Sequence, residues 1–175
     1  MKTILETSRL RLREMSMSDL DFIAAMLAHP EVMRFYPKLY SREEATWWID
    51  RQIDRYARHG SGLWLVEDRV TGEPRGQVGL LIQEVDGREE PEIGYLIDHP
   101  YWRQGLATEA ALATRAFAFG TLGLPRVISL IRPANLPSQG VARKMGMTPE
   151  KRSTVWDREH IVFSVRAADL GEKRE

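Results

Sequence analysis

Cysteine is absent from the 175 residues of this sequence, and long apolar runs are absent as well. Without cysteine the chain can form no disulfide, no thiolate nucleophile and no cysteine-ligated metal site. No segment approaches the ~18 consecutive apolar residues of a membrane span, and the first residues do not show the apolar region of a secretory signal. These absences predict a soluble, cytoplasmic protein without a membrane partner.

A net charge is also absent, because 25 lysines and arginines balance 25 aspartates and glutamates. The balance predicts no nucleic-acid partner, since such partners select basic surfaces. The four histidines are scattered without metal-ligand spacing, so we expect no metal. With 43% hydrophobic and 29% charged residues, the composition is that of an ordinary globular chain. We expect one domain over residues 1–170 and a polar tail over residues 171–175.

The first third of the chain predicts a strand followed by two helices. Residues 9–13 alternate at period two, which is typical of a strand. Ser18 is the expected N-cap of a helix that ends before His29-Pro30, and Ser41 with Glu44 forms a capping box for the next helix. The apolar stripe expected on that second helix consists of Ala45, Trp48, Ile49, Ile53 and Tyr56.

The remainder predicts strands and helices in alternation. Three strands are expected over residues 63–68, 76–83 and 92–98, and then a helix over about residues 104–119. A buried strand over residues 126–131, a helix starting at Asn135 and two strands over residues 148–155 and 160–165 complete the chain. The order β-α-α-β-β-β-α-β-α-β-β indicates an α/β (α+β) fold with a mixed sheet of about seven strands.

The most informative stretch is residues 101–111, Tyr-Trp-Arg-Gln-Gly-Leu-Ala-Thr-Glu-Ala-Ala, which joins a predicted strand to the long helix. A turn with a small residue lets the backbone approach a ligand closely. The helix start offers free N–H groups and the positive end of the helix dipole, which together favour phosphate. The turn is neither a P-loop nor a dinucleotide fingerprint.

This turn resembles the pyrophosphate loop of the GNAT acetyltransferase superfamily, in which Gln or Arg is followed by two residues, Gly, one residue, and Gly or Ala. Gly105 and Ala107 fill the two small positions, whereas Trp102 stands where Gln or Arg is usual. That departure is similar to the Rim-type branch, the ribosomal-protein N-terminal acetyltransferases. The opening residues 7–13 are also similar to Rim-type sequences. The resemblance covers nearly the whole chain and implies a sheet splayed between its fourth and fifth strands, which leaves a slot for acetyl-coenzyme A.

The resemblance also implies which residues hold the cofactor. The loop would bind the pyrophosphate, the strand with Tyr95 would pair with the pantetheine arm and offer an N–H to the oxyanion, and Asn135 would hydrogen-bond the pantetheine. The cofactor-binding set expected on this basis is Tyr95, Leu96, Ile97, Arg103, Gln104, Gly105, Leu106, Ala107, Thr108, Asn135, Ser138 and Lys144. Structural roles remain open for some of them: Asn135 suits a plain N-cap, and Arg103 a solvated side chain.

Two residues are the expected catalytic groups. Glu92 matches the strand glutamate that serves some superfamily members as general base, although an exposed glutamate paired with an arginine is the alternative. Its loss is expected to lower turnover most at low pH. Ser138 could protonate the leaving thiolate, or be only a first-turn hydroxyl. Ala142 stands where many members place a tyrosine acid, so a dedicated acid is in question.

The expected acceptor is a primary amine, most readily an α-amine of a protein or peptide N-terminus. An α-amine of pKa about 8 is roughly a tenth neutral at pH 7, whereas a lysine of pKa about 10.4 is neutral less than one time in a thousand. Phe35, Tyr36 and Trp156 are the expected walls of the acceptor site, or alternatively packing residues. The alternatives are a small-molecule amine such as an aminoglycoside or polyamine, and a non-catalytic acyl-coenzyme A binding protein. A homodimer is possible.

Overall fold

A computed structural model describes residues 1–171 of the chain. Its strands are β1 (Thr3–Glu6), β2 (Leu10–Arg13), β3 (Leu63–Asp68), β4 (Pro74–Val85), β5 (Arg88–Ile97), β6 (Arg126–Ile131), β7 (Thr148–Val155) and β8 (Arg158–Arg166). Its α-helices are α1 (Leu20–Leu27), α2 (Arg42–His59), α3 (Leu106–Gly120), α4 (Leu136–Lys144) and α5 (Ala167–Gly171). The tail predicted over residues 171–175 lies outside the described residues apart from Gly171, the last residue of α5.

The strands form a single sheet in the order β1-β2-β3-β4-β5-β6-β8-β7. Every neighbouring pair is antiparallel except β5 and β6, which are parallel. The mixed α/β class is confirmed, and the predicted elements occur in the predicted order, with one strand added at the start of the chain and the short helix α5 at its end. The sheet has eight strands because Thr3–Glu6 adds an edge strand to β2. Sequence patterning did not find β1, since four half-buried or exposed edge residues show no clean alternation.

Two apolar layers cover the two faces of the sheet. On one face α3 packs against inward side chains of β2 to β6, among them the fully buried Trp64 and Ile93. On the other face α1 and α2 pack against Leu63, Leu65 and Leu81. The buried stripe of α2 includes Gln52 at 1% exposure, whereas Ile53, expected in that stripe, is 41% exposed. Gln52 is buried because its Oε1 accepts the Leu63 backbone N–H at 3.0 Å.

The helix starts follow local capping chemistry. Ser41 and Glu44 form the predicted capping box at the start of α2, and Gly60 ends that helix in the left-handed region. The expected N-cap Ser18 lies instead within a short 3₁₀ turn, Met17–Asp19, which Ser16 and Asp19 close with a capping box, and Asp19 is the N-cap residue of α1. No helix within residues 1–171 combines the length and apolarity needed to cross a bilayer.

Candidate active site

The sheet opens between β5 and β6. These two strands share a single bridge, Glu92 with Ile128, whereas β4 and β5 pair along their whole length. Just beyond the bridge, two side chains take the place of the backbone ladder. Ser129 Oγ donates to the Ile93 carbonyl at 2.7 Å, and the Leu130 N–H donates to Glu92 Oε1 at 3.4 Å. The strands therefore diverge at this point without leaving these two backbone groups unpaired.

The open edge of β5 faces this gap. The Ile93 carbonyl turns toward β6, and the Ile97 carbonyl accepts the Trp102 Nε1–H at 2.7 Å instead of a bond from β4. Backbone groups along a strand alternate in direction, so the N–H and carbonyl of Tyr95 also face the gap. This edge can pair with an extended ligand. Trp102, which departs from the superfamily pattern, anchors the following loop to the end of β5.

Glu92 lies at the closed end of the gap and is 6% exposed. Its Oε2 accepts from Gln83 Nε2 at 2.8 Å, and it forms no salt bridge with an arginine of the described chain. The alternative of an exposed, arginine-paired glutamate therefore does not apply. Burial raises the pKa of Glu92, while the hydrogen bonds from Gln83 and Leu130 and the charge of Arg55 act in the opposite direction. A raised pKa suits a group that accepts a proton near neutral pH.

A cavity of about 370 Å³ adjoins Glu92. Eight of the residues expected at the site line it: Phe35, Tyr36, Glu92, Tyr95, Leu96, Asn135, Ser138 and Trp156. Burial, together with the negative charge of Glu92, raises the pKa of Tyr36, so its phenol is neutral at physiological pH. The structure thus brings together the predicted catalytic pair and the predicted acceptor walls.

The first turn of α4 contributes Asn135 and Ser138. Asn135 is the N-cap of α4, and its side-chain oxygen accepts the Ser138 N–H at 3.2 Å. This is the capping role that the sequence analysis gave as the alternative to cofactor binding. Its amide NH₂ forms no hydrogen bond within residues 1–171 and remains available to a ligand. Tyr95 ties this turn to β5 through a 2.7 Å bond from its hydroxyl to the Ser138 carbonyl. Ala142 is fully buried, and its methyl side chain supplies no proton donor at that position.

The loop before α3 lies outside the cavity. Arg103 and Gly105 both have positive φ, at 59° and 78°. Gly105 is the N-cap, and no side chain caps the helix start, so the first N–H groups of α3 are open to a ligand. The helix begins at Leu106, two residues later than expected, because the left-handed Gly105 cannot belong to it. Two other expected cofactor-binding residues do not line the cavity. Ile97 is buried at the end of β5, and Lys144 is exposed at the end of α4.

Glu109, in the first turn of α3, fixes the position of this loop through contacts to Thr7 and Arg9. The sequence analysis did not assign this role. Its carboxylate accepts from the Thr7 hydroxyl at 2.5 Å, the Arg9 backbone N–H at 3.1 Å and Arg9 Nε at 2.6 Å. Arg9 Nη1 in turn donates to the Gln104 carbonyl at 2.8 Å. The turn between β1 and β2 is thereby fastened to the start of α3. The signal was present in the sequence as an acidic residue in the first helical turn, but its partners lie about 100 residues away.

Metal-binding side chains do not cluster at this site. Residues 1–171 contain no group of three or more His, Asp or Glu side chains placed to hold an ion.

An open-edged strand, a divided sheet and an uncapped helix start are the features that the resemblance to the acetyltransferase superfamily implied. The family model "Acetyltransferase (GNAT) domain" matches residues 9–148. This chain therefore belongs to the GNAT acetyltransferase family and is an acyltransferase.

Known proteins are similar to this chain over most of its length. It is 33% identical over 163 residues to the uncharacterized protein YkkB of Bacillus subtilis, covering 93% of this chain and 95% of the relative. It is also 33% identical over 151 residues to the uncharacterized N-acetyltransferase YoaA of the same organism, covering 84% of each.

Solved structures show the same fold. An acetyltransferase from Agrobacterium tumefaciens is 28% identical with a TM-score of 0.83, covering 95% of each chain. A putative ribosomal-protein-serine acetyltransferase from Vibrio cholerae is 26% identical with a TM-score of 0.79, covering 94% of this chain and 97% of that one.

Proposed function

We propose that the protein transfers an acetyl group from acetyl-coenzyme A directly to the α-amine of a protein or peptide N-terminus. The observation that carries this proposal is the gap between β5 and β6. There the unpaired backbone groups of Tyr95 and the buried carboxylate of Glu92 lie beside one cavity. The similarity to a putative ribosomal-protein-serine acetyltransferase supports a Rim-type acceptor.

The residues of the gap suit the binding of the cofactor. The open N–H groups at the start of α3 suit the pyrophosphate. The free edge of β5 suits the amides of the pantetheine arm, and the unpaired NH₂ of Asn135 offers a further donor. In this pose the Tyr95 N–H donates to the thioester oxygen and stabilises the negative charge that develops there.

In the transfer step the amine nitrogen attacks the thioester carbon, the carbon–sulfur bond breaks, and coenzyme A leaves as thiolate. Glu92 accepts the amine proton, directly or through one water. A thiol of pKa near ~8.5 departs with little protonation, so Ser138 is sufficient as a weak donor and the apolar Ala142 carries no penalty.

The test is acetyl-coenzyme A turnover across an amine panel of unblocked peptides, the same peptides with a blocked N-terminus, aminoglycosides and polyamines. We expect mass spectrometry to locate one added acetyl group on the α-nitrogen of the unblocked peptides. Turnover confined to aminoglycosides or polyamines would show that the acceptor is a small molecule. Coenzyme A binding without turnover of any amine would contradict the proposed activity.

A further inference from the structure

The cavity has a charge imbalance that the whole chain does not have. Four arginines are among the residues that line it, Arg51 and Arg55 on α2, Arg132 after β6 and Arg158 at the start of β8, and Glu92 is the one acidic residue in that lining. The chain overall has equal numbers of acidic and basic residues. Positive charge is therefore concentrated at this site.

These four arginines contact neutral groups. Arg158 donates to the Phe35 carbonyl at 3.1 Å, Arg132 to the Glu159 carbonyl, and Arg55 to Gln52 Oε1 at 3.3 Å, while the Arg51 guanidinium lies 4.6 Å from the centre of the Trp47 ring. Within residues 1–171 none of the four forms a salt bridge. Of the fifteen other arginines within residues 1–171, eight pair with carboxylates and seven do not; the eight are Arg9, Arg11, Arg13, Arg42, Arg58, Arg75, Arg126 and Arg152.

Gln77 adds a buried donor without a partner. Its Oε1 accepts from Trp48 Nε1 at 2.9 Å, which fixes the orientation of the amide, and its Nε2 makes no hydrogen bond. The residue is 1% exposed and lines the same cavity. Of the buried side-chain groups left unpaired within residues 1–171, it is the one at this site. A buried donor without a partner indicates an absent acceptor group.

Arg55 is a partly buried guanidinium that forms no salt bridge within residues 1–171. Burial lowers the pKa of Arg55 and the neighbouring charge of Arg51 lowers it further, while the charges of Glu92 and Asp54 act in the opposite direction. Two like charges one turn apart on α2 also repel each other. A carboxylate bound between them would add a counter-charge through charge-assisted hydrogen bonds.

We propose that the acceptor is a primary amine with carboxylate groups close to its nitrogen, supplied by an N-terminus followed by acidic residues. This inference rests on the proposed function and names the substrate class of the same site. The amine lies toward Glu92, and the acidic side chains meet Arg51, Arg55, Arg132 and Arg158. The same lining disfavours polyamines and aminoglycosides, which carry several positive charges.

The test compares three C-terminally amidated peptides, Ala-Asp-Asp-Leu, Ala-Asn-Asn-Leu and Ala-Lys-Lys-Leu, together with free aspartate and spermidine, as acceptors from acetyl-coenzyme A. We expect kcat/KM for the Asp peptide to exceed that for the Asn peptide by about tenfold or more, and the Lys peptide to be poorer still. Raising the ionic strength should reduce the preference.

Arginine variants then locate the preference. The two cavity variants are Arg55→Gln and Arg51→Gln, the second at an exposed position. Each should lower kcat/KM about tenfold for the Asp peptide and less than threefold for the Asn peptide. Arg58→Gln is the matched control, since Arg58 is on the same helix but pairs with Asp54 outside the cavity. It should change neither value.

The outcomes separate this inference from the proposed function. Equal turnover of the three peptides, or a preference unchanged in both cavity variants, overturns the acidic acceptor and leaves N-terminal acetylation intact. Turnover of free aspartate alone retains the carboxylate-bearing amine but contradicts the peptide source. Turnover of spermidine alone, or of none of these amines, overturns both.

Discussion

At the residue scale, Glu92 has a structural role and, in the proposed reaction, a chemical one. Its carboxylate accepts the Leu130 N–H at the point where β5 and β6 separate, and it lies at the wall of the cavity. The raised pKa of this buried group sets the pH range in which it can act as a base. We therefore restrict the expectation that its loss is felt most at low pH to the range above this raised pKa, because a protonated carboxyl cannot accept the amine proton.

Glu92→Gln should lower kcat/KM about tenfold between the raised pKa of Glu92 and the amine pKa of about 8. Below that window the wild-type carboxyl is protonated, and above it the amine is already neutral, so the two profiles should converge at both ends. The measurement is a pH–rate profile with one peptide. Parallel profiles at every pH would show that Glu92 has no role in proton transfer.

The same substitution should raise the stability of the fold at pH 7, although it lowers activity. A carboxyl whose folded pKa is raised destabilises the fold as pH rises from the unfolded pKa, about 4.3, to the folded value, because the folded state binds the proton more tightly. Gln83, which bonds no other side chain of the described chain, can turn its amide to suit a glutamine. Glu92→Gln should unfold at a denaturant concentration equal to wild type near pH 4 and higher at pH 7. A lower midpoint at pH 7 would contradict this account.

At the scale of elements, the left-handed Gly105 sets the start of α3. An added Cβ would meet only Arg9 Nη2 at 3.5 Å, an ordinary contact, so the constraint is the φ of 78° rather than lack of space. A β-branched residue is strained in this conformation. The loop must then change its backbone course, and the N–H groups of α3 with it.

Gly105→Val should therefore weaken coenzyme A binding by about tenfold or more, as measured by calorimetry on the folded variant. Gly120→Val is the control, since nothing lies within 4 Å of its added Cβ and Gly120 is at the far end of α3. Unchanged affinity in folded Gly105→Val would remove the loop from the cofactor site.

The contacts of Glu109 lead to a second prediction for the same loop. Glu109→Gln weakens the charge-assisted bonds to Arg9 and thereby frees Arg9 from the Gln104 carbonyl. We expect the Kd for coenzyme A to rise about fivefold, with a lower thermal midpoint. Glu6→Gln breaks a comparable pair with Arg11 away from the loop and should leave the Kd unchanged. A lower midpoint with an unaltered Kd would make Glu109 a purely structural tether.

The elements differ in how far sequence could predict them. Leu63–Asp68, Arg126–Ile131 and Thr148–Val155 were predicted with their observed bounds, because buried runs and turn residues are local signals. Strand β1 was missed because its four edge residues show no clean alternation. The burial of Gln52 was missed because a polar residue gives no apolar signal, and its bond to the Leu63 N–H is visible only in the structure.

The candidate site follows the same rule. The helix-start loop and the cap at Asn135 are local features, and the sequence predicted both. The sequence shows Arg51 and Arg55 at helical spacing. It could not predict the arginine lining of the cavity, because Arg132 and Arg158 come close to this pair only in the folded chain. The burial of Glu92 likewise depends on β4 and β6, so only the structure reveals its raised pKa.

At the scale of the whole molecule, the divided sheet separates the two substrates in the proposed reaction. The start of α3 and the first turn of α4 offer hydrogen-bond donors along the gap. The layer formed by α2 and the segment before it lies on the face of the sheet opposite α3, and it lines much of the cavity that we propose for the acceptor. The cofactor and the amine can thus approach from two sides and meet beside Glu92 and the Tyr95 N–H.

The most direct test of this arrangement is the affinity of a bisubstrate conjugate, coenzyme A joined through an acetyl bridge to the α-nitrogen of the Ala-Asp-Asp-Leu peptide. If both sites meet in the gap, the conjugate should bind about 100-fold or more tightly than coenzyme A in calorimetry, because the second binding event becomes intramolecular. A conjugate that binds no more tightly than coenzyme A would contradict the account.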